Sequence, residues 1–261
     1  MEGVLASLDS WFQANGLKVN AAKTQLMLLG SPQNLRSLND IKVKFRGHDL
    51  IPITEAKNLG VTFDRSLSWD VHVANVTQRC FGVLSGLSHL RGHLPTAVLS
   101  ALIHALVFSQ IRYCISVYGN GKKANFSRLQ KVINYAAKII FGRRKYDHVS
   151  DLLERLGWLG AEGMANYHTM CLTHKVRLCG EPEQLSAGLT TVAEARATER
   201  ATRQDRKLFV PRSRTEMGRR RFTCRGSTLY NALPPDLVEL PVPQFCRGVR
   251  RHLVGPSRAP D

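Results

Sequence analysis

The sequence has 261 residues, with 37 Lys and Arg against 20 Asp and Glu, a formal net charge of +17, and 43% hydrophobic residues. This hydrophobic share excludes a disordered chain, and the length suits one or two domains. The longest apolar stretch, residues 98–111, contains polar side chains and is shorter than the roughly 20 residues that cross a bilayer, so no membrane partner is expected. The positive charge favours a polyanionic partner.

The cysteines contain no C-x-x-C pair, and the N-terminus lacks a charged-then-apolar signal peptide. These two features predict reduced thiols, most of them in the core, and an intracellular protein. They do not distinguish the nucleus from the cytoplasm. The six cysteines are Cys80, Cys114, Cys171, Cys179, Cys224 and Cys246.

The first 65 residues have the pattern of one helix followed by short strands. An amphipathic helix is predicted around residues 4–12, and Asn15-Gly16 is a strong turn signal. Apolar residues alternate with lysines in "IKVKFRGHDLIPI", which predicts a hairpin. The strand candidates are residues 24–29, 41–45, 50–53 and 59–63.

Residues 66–180 have helical periodicity. Ser66 or Ser68 is the predicted N-cap of the first helix, with Asp70 in its first turn. Pro95 opens a helix that is apolar on nearly every side and is therefore expected to be central. Further helices are predicted in "DHVSDLLERLGWL" and over residues 165–179.

A helix over residues 126–141 combines an apolar face with a basic stripe. The residues predicted to face inward are Leu129, Val132, Ile133, Ala136, Ala137 and Ile140. The opposite face carries Arg128, Lys131, Tyr135 and Lys138 at spacings of 3, 4 and 3. Such a stripe is typical of a solvated helix face and equally of a surface that contacts nucleic acid.

From about residue 180 the chain is polar and rich in arginine. Between Arg200 and Arg225, ten Arg or Lys face two acids, which gives ten minus two, or +8. This segment is either a solvated loop or a nucleic-acid contact. The predicted domains are residues 1–65, a helical domain at 66–180, a basic polar linker at 181–226 and a small C-terminal segment at 227–261.

Four stretches in this order carry a family resemblance: "NGLKVNAAKTQLMLLG", "AKNLGVTFDRSLSWDVHV", "LQKVINYAAKIIFGRRKYDHVSDLLERLGWL" and "PRSRTEMGRRRFTCRGSTLYNALPPDLVELPVPQFCRGVRRHL". Together they resemble the C-terminal part of a reverse transcriptase from a Jockey-like non-LTR (LINE) retrotransposon. The resemblance implies an α+β fold. It would be the remnant of a polymerase palm, with short antiparallel strands and a helix, followed by a mostly helical thumb and a small basic C-terminal segment.

The resemblance also implies a magnesium-dependent polymerase whose metal-binding aspartates lie upstream of Met1. The acids of the first 65 residues include no adjacent pair, whereas two-metal nucleotidyl transfer needs clustered carboxylates. We therefore expect no catalytic site and no cofactor in this chain, although the intact family enzyme uses Mg²⁺. Lys23, in "LKVNAAKT", matches the family lysine that faces the departing pyrophosphate, and is the candidate general acid of the intact enzyme. Alternatively, Lys23 protects a strand edge.

Other matched positions imply contacts with the nucleic acid. Lys57 and Gly60 lie in "KNLGVTFD", which resembles the primer-contacting element, although a plain buried strand would have the same pattern. Trp69 could stack on a base, or it could belong to the core. The predicted phosphate ligands in the arginine-rich segment are Arg212, Arg214, Arg219, Arg220 and Arg221.

His168, Cys171, His174 and Cys179 follow one another at spacings that raise the possibility of a zinc site. On a continuous helix these side chains point to different faces, so one zinc ion could not bind all four, and no metal site is predicted.

These observations predict a truncated RNA-directed DNA polymerase that is inactive alone and binds RNA and DNA as a primer/template or RNA–DNA hybrid. The alternatives are a non-enzymatic nucleic-acid-binding protein derived from a retrotransposon and an unrelated helical scaffold.

Overall fold

A computed structural model describes residues 2–36, 38, 41–144, 146–196 and 205–254. The chain divides into two compact units, residues 1–72 and 73–261. We call them the strand unit and the helical unit, and each is described by itself. Short strands accompany many helices, which confirms the predicted α+β class.

Within its described residues, the strand unit contains two complete helices, a 3-10 turn and six short strands. In chain order they are α1 (Glu2–Ala14), the 3-10 turn (Ala21–Lys23), β1 (Leu26–Met27), α2 (Pro32–Arg36), β2 (Val43–Phe45), β3 (His48–Leu50), β4 (Pro52–Ile53), β5 (Glu55–Asn58) and β6 (Val61–Asp64). The strands form three separate pairs: β1–β4 is parallel, and β2–β3 and β5–β6 are antiparallel.

The predicted hairpin is confirmed as β2–β3, and its turn carries a long-range contact. Arg46 and Gly47 both have positive φ, as a tight hairpin turn requires. The guanidinium of Arg46 binds the Asp9 carboxylate at 2.6 Å and donates to the Val19 carbonyl at 3.0 Å. Arg46 thereby joins the hairpin to α1.

All four predicted strands differ in extent from those observed: residues 41–45 keep only Val43–Phe45, and residues 50–53 are divided between β3 and β4. Residues 24–29 keep only Leu26–Met27 in a strand, because Leu26 pairs with Pro52, whose nitrogen has no hydrogen to donate. The strand predicted over residues 59–63 begins only at Val61, because Leu59 and Gly60 form the turn between β5 and β6 with φ of 45° and 82°. Leu59 is consequently 83% exposed.

The helical unit continues α3, which begins in the strand unit, and adds twelve further helices within the described residues. They are α3 (Asp70–Leu90), α4 (Thr96–Ile103), α5 (Ser109–Arg112), α6 (Ile115–Tyr118), α7 (Lys123–Phe141), α8 (Ser150–Leu156), α9 (Ala161–Cys179), α10 (Glu183–Ser186), α11 (Val192–Ala195), α12 (Glu216–Arg219), α13 (Phe222–Asn231), α14 (Pro235–Val238) and α15 (Val242–Val254). A π-helical turn (His104–Phe108) joins α4 to α5.

The first predicted helix of this region has Asp70 in its first turn, as expected, and the hydroxyl of Ser68, one of the two predicted caps, accepts its backbone N–H. It begins at Asp70, and the Asp64 carboxylate accepts both the backbone N–H and the hydroxyl of Ser66. Ser68 donates to Asp64 as well, while its hydroxyl oxygen accepts the Asp70 N–H at 3.3 Å. One acid outside the helix therefore organises the whole entry turn.

Helix α7 confirms its prediction, because all six residues expected to face inward are buried. The apolar helix after Pro95 differs from expectation. Ile103, Val107 and Ile111 are fully buried, but Val98 and Leu106 are 44% and 45% exposed. This segment therefore has one solvent-facing side despite its composition.

Helix α9 is the element against which the C-terminal helices pack. α13 and α15 both contact it, and their shared core contains His174, Tyr230 and Phe245. Residues 181–226, which the sequence indicated as a linker, contain α10, α11, α12 and the start of α13. Their few apolar residues give no helical period in the sequence. α10, α11 and α12 have no buried residue, whereas Cys224 of α13 is buried and α13 packs on α9.

Candidate nucleic-acid interface

The predicted basic stripe of α7 borders a groove that we call the α7 groove. Lys131, Tyr135 and Lys138 lie along it, whereas Arg128 is exposed on the same helix and does not line it. Its volume is about 740 Å³. The full lining is Phe81, Ser88, Arg91, Lys131, Asn134, Tyr135, Lys138, Ile139, Gly142, Arg143 and Tyr146.

The charge of the α7 groove is entirely positive. Its described lining contains four cations, Arg91, Lys131, Lys138 and Arg143, and no carboxylate. Lysine and arginine without acidic neighbours can neutralise phosphates directly. Four cations and no carboxylate in the described lining of one groove therefore suit a polyanion better than they suit a solvated helix face.

Aromatic rings alternate with these cations. Phe81 and Tyr135 lie against each other with ring centroids 6.0 Å apart, and Tyr146 is 88% exposed at the end of the groove. Proteins that bind single strands without sequence preference combine such cations with rings that stack on bases. On a duplex, whose bases are already stacked on each other, the cations alone would contact the backbone.

Gly142 controls the position of Arg91. It ends α7 with φ of +63°, a conformation that favours glycine, and the Arg91 guanidinium occupies the space where a Cβ would stand. Arg91 comes from the 3-10 turn after α3 (Arg91–His93), so two distant segments of the sequence build this part of the groove.

The sequence did not predict four cationic or aromatic residues of the lining: Phe81, Arg91, Arg143 and Tyr146. The "FGRRKY" run after α7 was a usable signal, because cations are favoured beyond a helix C-terminus. Phe81 and Arg91 had no such signal, since only the packing of α3 beside α7 brings them to the groove.

The arginine-rich segment contributes to a second groove, the α13 groove, of about 860 Å³. Its charged lining consists of Lys123, Arg219, Arg220 and Arg225 with Glu162 and Glu216. The two acids compensate part of this charge. The α7 groove is therefore the stronger candidate for phosphate contact.

Two of these arginines have structural partners. Arg220 approaches Glu216 with Nε 3.5 Å from Oε1, and its carbonyl accepts a hydrogen bond from Asn120 at 2.8 Å. Arg225 donates to the Asn166 side chain at 2.7 Å. The remaining predicted phosphate ligands, Arg212, Arg214, Arg219 and Arg221, are exposed, and of these four only Arg219 is in the described lining of the α13 groove.

Trp69 belongs to the core, so the interpretation that it stacks on a base was wrong. It is 4% exposed and lies edge-on against Phe63, with ring centroids 5.3 Å apart. Its φ of +66° and its N–H bond to Asp64 at 2.8 Å fix the backbone there. The alternative of a core aromatic residue is confirmed.

The other predicted residues of the strand unit lie at its surface. Lys23 is exposed in the 3-10 turn rather than at a strand end, and its N–H donates to the Asn20 side chain at 3.2 Å. Lys57 is exposed on β5, and Gly60 is exposed at the tip of the β5–β6 turn. Their proposed contacts with primer or pyrophosphate stay predictions.

Among the described residues, no group of three or more His, Cys, Asp or Glu side chains comes together that could hold a metal ion. Asp64, in the predicted primer-contacting stretch, accepts five hydrogen bonds from Ser66, Ser68 and Trp69. Burial would raise the pKa of Asp64, but these hydrogen bonds outweigh it and hold the pKa below its ordinary value. This carboxylate is therefore charged and already occupied.

Residues of the possible zinc site also have other interactions. Both ring nitrogens of His174 are hydrogen-bonded, to the Tyr230 hydroxyl and to the Leu240 carbonyl, each at 2.8 Å. Burial, followed by contacts with Cys246, raises the pKa of Cys171 to about 12. All six cysteines are free; Cys80 and Cys224 are buried, whereas Cys179 is exposed.

Among the helices that the structure describes, none combines the length and apolarity needed to cross a bilayer.

Comparison with known proteins gives one informative similarity. The chain is 26% identical over 183 residues to a probable RNA-directed DNA polymerase from transposon BS of Drosophila melanogaster. The matched region covers 68% of this chain and 20% of that relative. No protein-family model matches the chain. No solved structure matches it either. The similarity confirms the resemblance to a transposon reverse transcriptase that the motifs indicated.

Proposed function

We propose that this chain is a nucleic-acid-binding part of a non-LTR retrotransposon reverse transcriptase, and that it holds the backbone of a template–primer duplex. The similarity to a transposon RNA-directed DNA polymerase supports the family. The α7 groove supports the binding, because four cations with no acid in the described lining face one concave surface. In this proposal the helical unit acts as the thumb and the strand unit is the end of the palm.

Phosphate contact rather than base recognition follows from the kind of side chains present. The four cations carry the charge of the groove. The one amide side chain in its described lining, Asn134, already accepts a hydrogen bond from the Gln130 side chain at 2.8 Å, which favours phosphate contact over the reading of base edges. If about six phosphates are neutralised, the affinity falls about a thousandfold between about 50 and 200 mM salt. Mixed-sequence RNA–DNA hybrids and DNA duplexes then bind with similar affinity.

The test is a fluorescence anisotropy titration of an RNA–DNA hybrid at four or so salt concentrations. The variant Lys131→Ala/Lys138→Ala is expected to flatten the log–log salt slope by up to about two units, near one per lost contact. The matched control is Lys175→Ala/Arg247→Ala, which removes the same charge from exposed positions outside both grooves. Equal slopes for the two double variants would mean that net charge alone, and not the α7 groove, drives binding.

The chemical step needs carboxylates that the described part of this chain does not bring together. We therefore propose that the chain, supplied alone with Mg²⁺, a primed template and nucleotides, binds the duplex without extending the primer. Extension above a no-protein blank would refute this part of the proposal and would leave the binding result unaffected.

A further inference from the structure

A cavity smaller than the two grooves lies in the helical unit beside α9, and we call it the α9 cavity. Its volume is about 210 Å³. None of its lining residues belongs to the α7 or the α13 groove. They are Phe108, Arg112, Trp158, Leu159, Met164, Tyr167, His168 and Arg250.

Two arginines from distant helices meet at this cavity without an acid. Arg112 is half-buried at the end of α5, and Arg250 lies on α15 with its side chain partly in solvent. Among the described residues, neither has a carboxylate or hydrogen-bond acceptor as partner, and no carboxylate lines the cavity. Two cations that share a cavity repel each other unless an anion joins them.

Burial and the two arginines lower the pKa values of cationic groups at and near the cavity. Burial, and after it the charge of Arg250, lowers the pKa of Arg112. Burial, and after it the charge of Arg112, lowers the pKa of His168. Both arginines add to the effect of burial in lowering the pKa of His104 behind the cavity wall. The potential in the cavity is therefore positive.

The aromatic wall holds one arginine in a defined orientation. Phe108 and Trp158 are buried edge-to-face, with ring centroids 4.5 Å apart. The Arg112 Cζ lies 5.4 Å from the Phe108 ring centroid. A guanidinium held over a ring keeps its planar set of N–H donors free to bind two oxygens of one anion.

We infer that the α9 cavity is a binding site for a phosphate monoester dianion, held by Arg112 and Arg250. The volume decides how much of the ligand enters. At about 30 Å³ per water, 210 Å³ admits a phosphoryl group and a few waters but not a whole nucleotide. The rest of the ligand would stay outside the mouth, on the side where Arg250 is exposed.

One further donor is available at this site. Tyr167 lines it too, and burial, followed by nearby Cys171 and Cys246, raises the pKa of Tyr167 to about 12, but its hydroxyl is already hydrogen-bonded to Cys171. His168 lies edge-on to the Tyr167 ring, with centroids 5.1 Å apart, and offers an imidazole N–H. Charged and neutral donors together match the several acceptor oxygens of a phosphate better than they match a chloride.

The first experiment titrates inorganic phosphate into the full chain by calorimetry, with chloride at equal ionic strength as the blank. Saturable phosphate binding is expected, and Arg250→Gln should weaken it about tenfold or more, as loss of a charge-assisted hydrogen bond does. Arg251→Gln is the matched control, because Arg251 is exposed on the same helix and does not line the cavity. It should bind phosphate like the wild type.

A second pair of ligands identifies the source of the phosphate. A short oligonucleotide with a 5′-phosphate is compared with the same oligonucleotide ending in a 5′-hydroxyl. Tighter binding of the phosphorylated strand, lost in Arg250→Gln, would assign the site to strand ends. Equal binding of the two strands alongside saturable inorganic phosphate would assign it to a free phosphate or nucleotide.

The absence of saturable phosphate binding in the folded wild type would overturn the inference, as would unchanged binding in Arg250→Gln. Arg112→Gln tests the second arginine of the site and should also weaken phosphate binding. If that variant does not fold, Arg112→Lys replaces it, because lysine keeps the charge and removes the planar donors. It is expected to weaken phosphate binding although its charge is retained. None of these outcomes depends on duplex binding at the α7 groove, so the two proposals fail separately.

Discussion

The strand unit and the helical unit bury apolar surface to very different extents. In the strand unit a small cluster of Val43, Phe45 and Leu50 is buried, whereas Trp11 and Ile51 are 58% and 64% exposed. In the helical unit, fully buried side chains extend from α3 to α15. The described strands pair only two by two, so they supply few of the neighbours that large apolar residues need.

The comparison shows where the folding free energy of the described residues is concentrated. Hydrophobic burial is the main favourable contribution, at about 25 cal/mol per Å² of apolar surface. A two-stranded pair is marginal on its own in water. We therefore expect the helical unit to dominate the measured stability, and the predictions below test that expectation from the largest effect to the smallest.

The largest effect is expected from Phe245→Ala. Phe245 is fully buried and stacks on His174, with ring centroids 3.8 Å apart and an interplanar angle of 11°. Removal of such a ring leaves a cavity and lowers the free energy of unfolding by about 3–5 kcal/mol. The measurement is urea denaturation followed by far-ultraviolet circular dichroism.

Phe209→Ala is the matched control within the same unit. Phe209 is 41% exposed, so the same truncation there should lower the free energy of unfolding by less than about 1 kcal/mol. Similar losses at Phe209 and Phe245 would contradict the view that the α9–α15 core holds the helical unit together.

The next effect concerns local opening. Amides of α7 and α9 are expected to exchange with solvent at least about a hundredfold more slowly than those of residues 15–63, a difference of about 2.7 kcal/mol. Hydrogen exchange followed by mass spectrometry resolves the two regions. Equal protection would mean that the strand unit gains pairing that its three separate strand pairs do not supply.

Acid is expected to destabilise the helical unit through His174. Burial, and to a lesser degree Arg177, lowers the pKa of His174, against the hydrogen bond to Leu240, which raises it. The unfolded chain takes up the proton near its ordinary pKa of about 6.5, while the folded chain still excludes it. Stability is therefore complete above about pH 6.5 and is lost as the pH falls below it, by at most about 1.4 kcal/mol per pH unit for this histidine.

Thermal unfolding at about pH 7.5 and about pH 5.5 measures this dependence. His174→Gln lowers stability at both values but should reduce the difference between them, since it removes one titrating group. His252→Gln, at an exposed position of α15, should keep the wild-type difference. An unchanged pH difference in His174→Gln would assign the dependence to other groups, beginning with His104 and His168.

The sequence could predict features that depend on local periodicity, but not those that depend on packing between distant segments. Helix α7 was predicted with its buried face because its period is local, and Lys131 and Lys138 followed from it. Arg91 was not predicted, since it lies 40 residues before Lys131 and reaches the groove only through packing. Trp69 could not be placed either, because its left-handed backbone depends on the hydrogen bonds of Asp64.

Gly142→Ala should act on stability and binding together. A side chain at φ of +63° is strained by about 1 kcal/mol, and the new Cβ would displace the Arg91 guanidinium. We expect about that loss of stability and a salt slope for duplex binding flatter by up to about one unit. Gly82→Ala is the control, because Gly82 faces open space within α3 and alanine there should stabilise the helix by about 0.5–1 kcal/mol. An unchanged slope in Gly142→Ala would remove Arg91 from the proposed contact.

The smallest effect separates two neighbouring arginines. The sequence alone predicted that the loss of Arg219, Arg220 and Arg221 would flatten the salt slope by up to about three units, near one per contact. Arg220 is instead engaged by Glu216 and is only 22% exposed, whereas Arg219 and Arg221 are in solvent. The triple variant should therefore change the slope by about two units. Arg219→Ala alone should account for up to about one unit, and Arg220→Ala for less, because the Arg220 side chain is largely buried and its Nε lies 3.5 Å from Glu216. Equal slopes for the two single variants would mean that the contact with Glu216 breaks when the duplex binds, as a weak surface ion pair can.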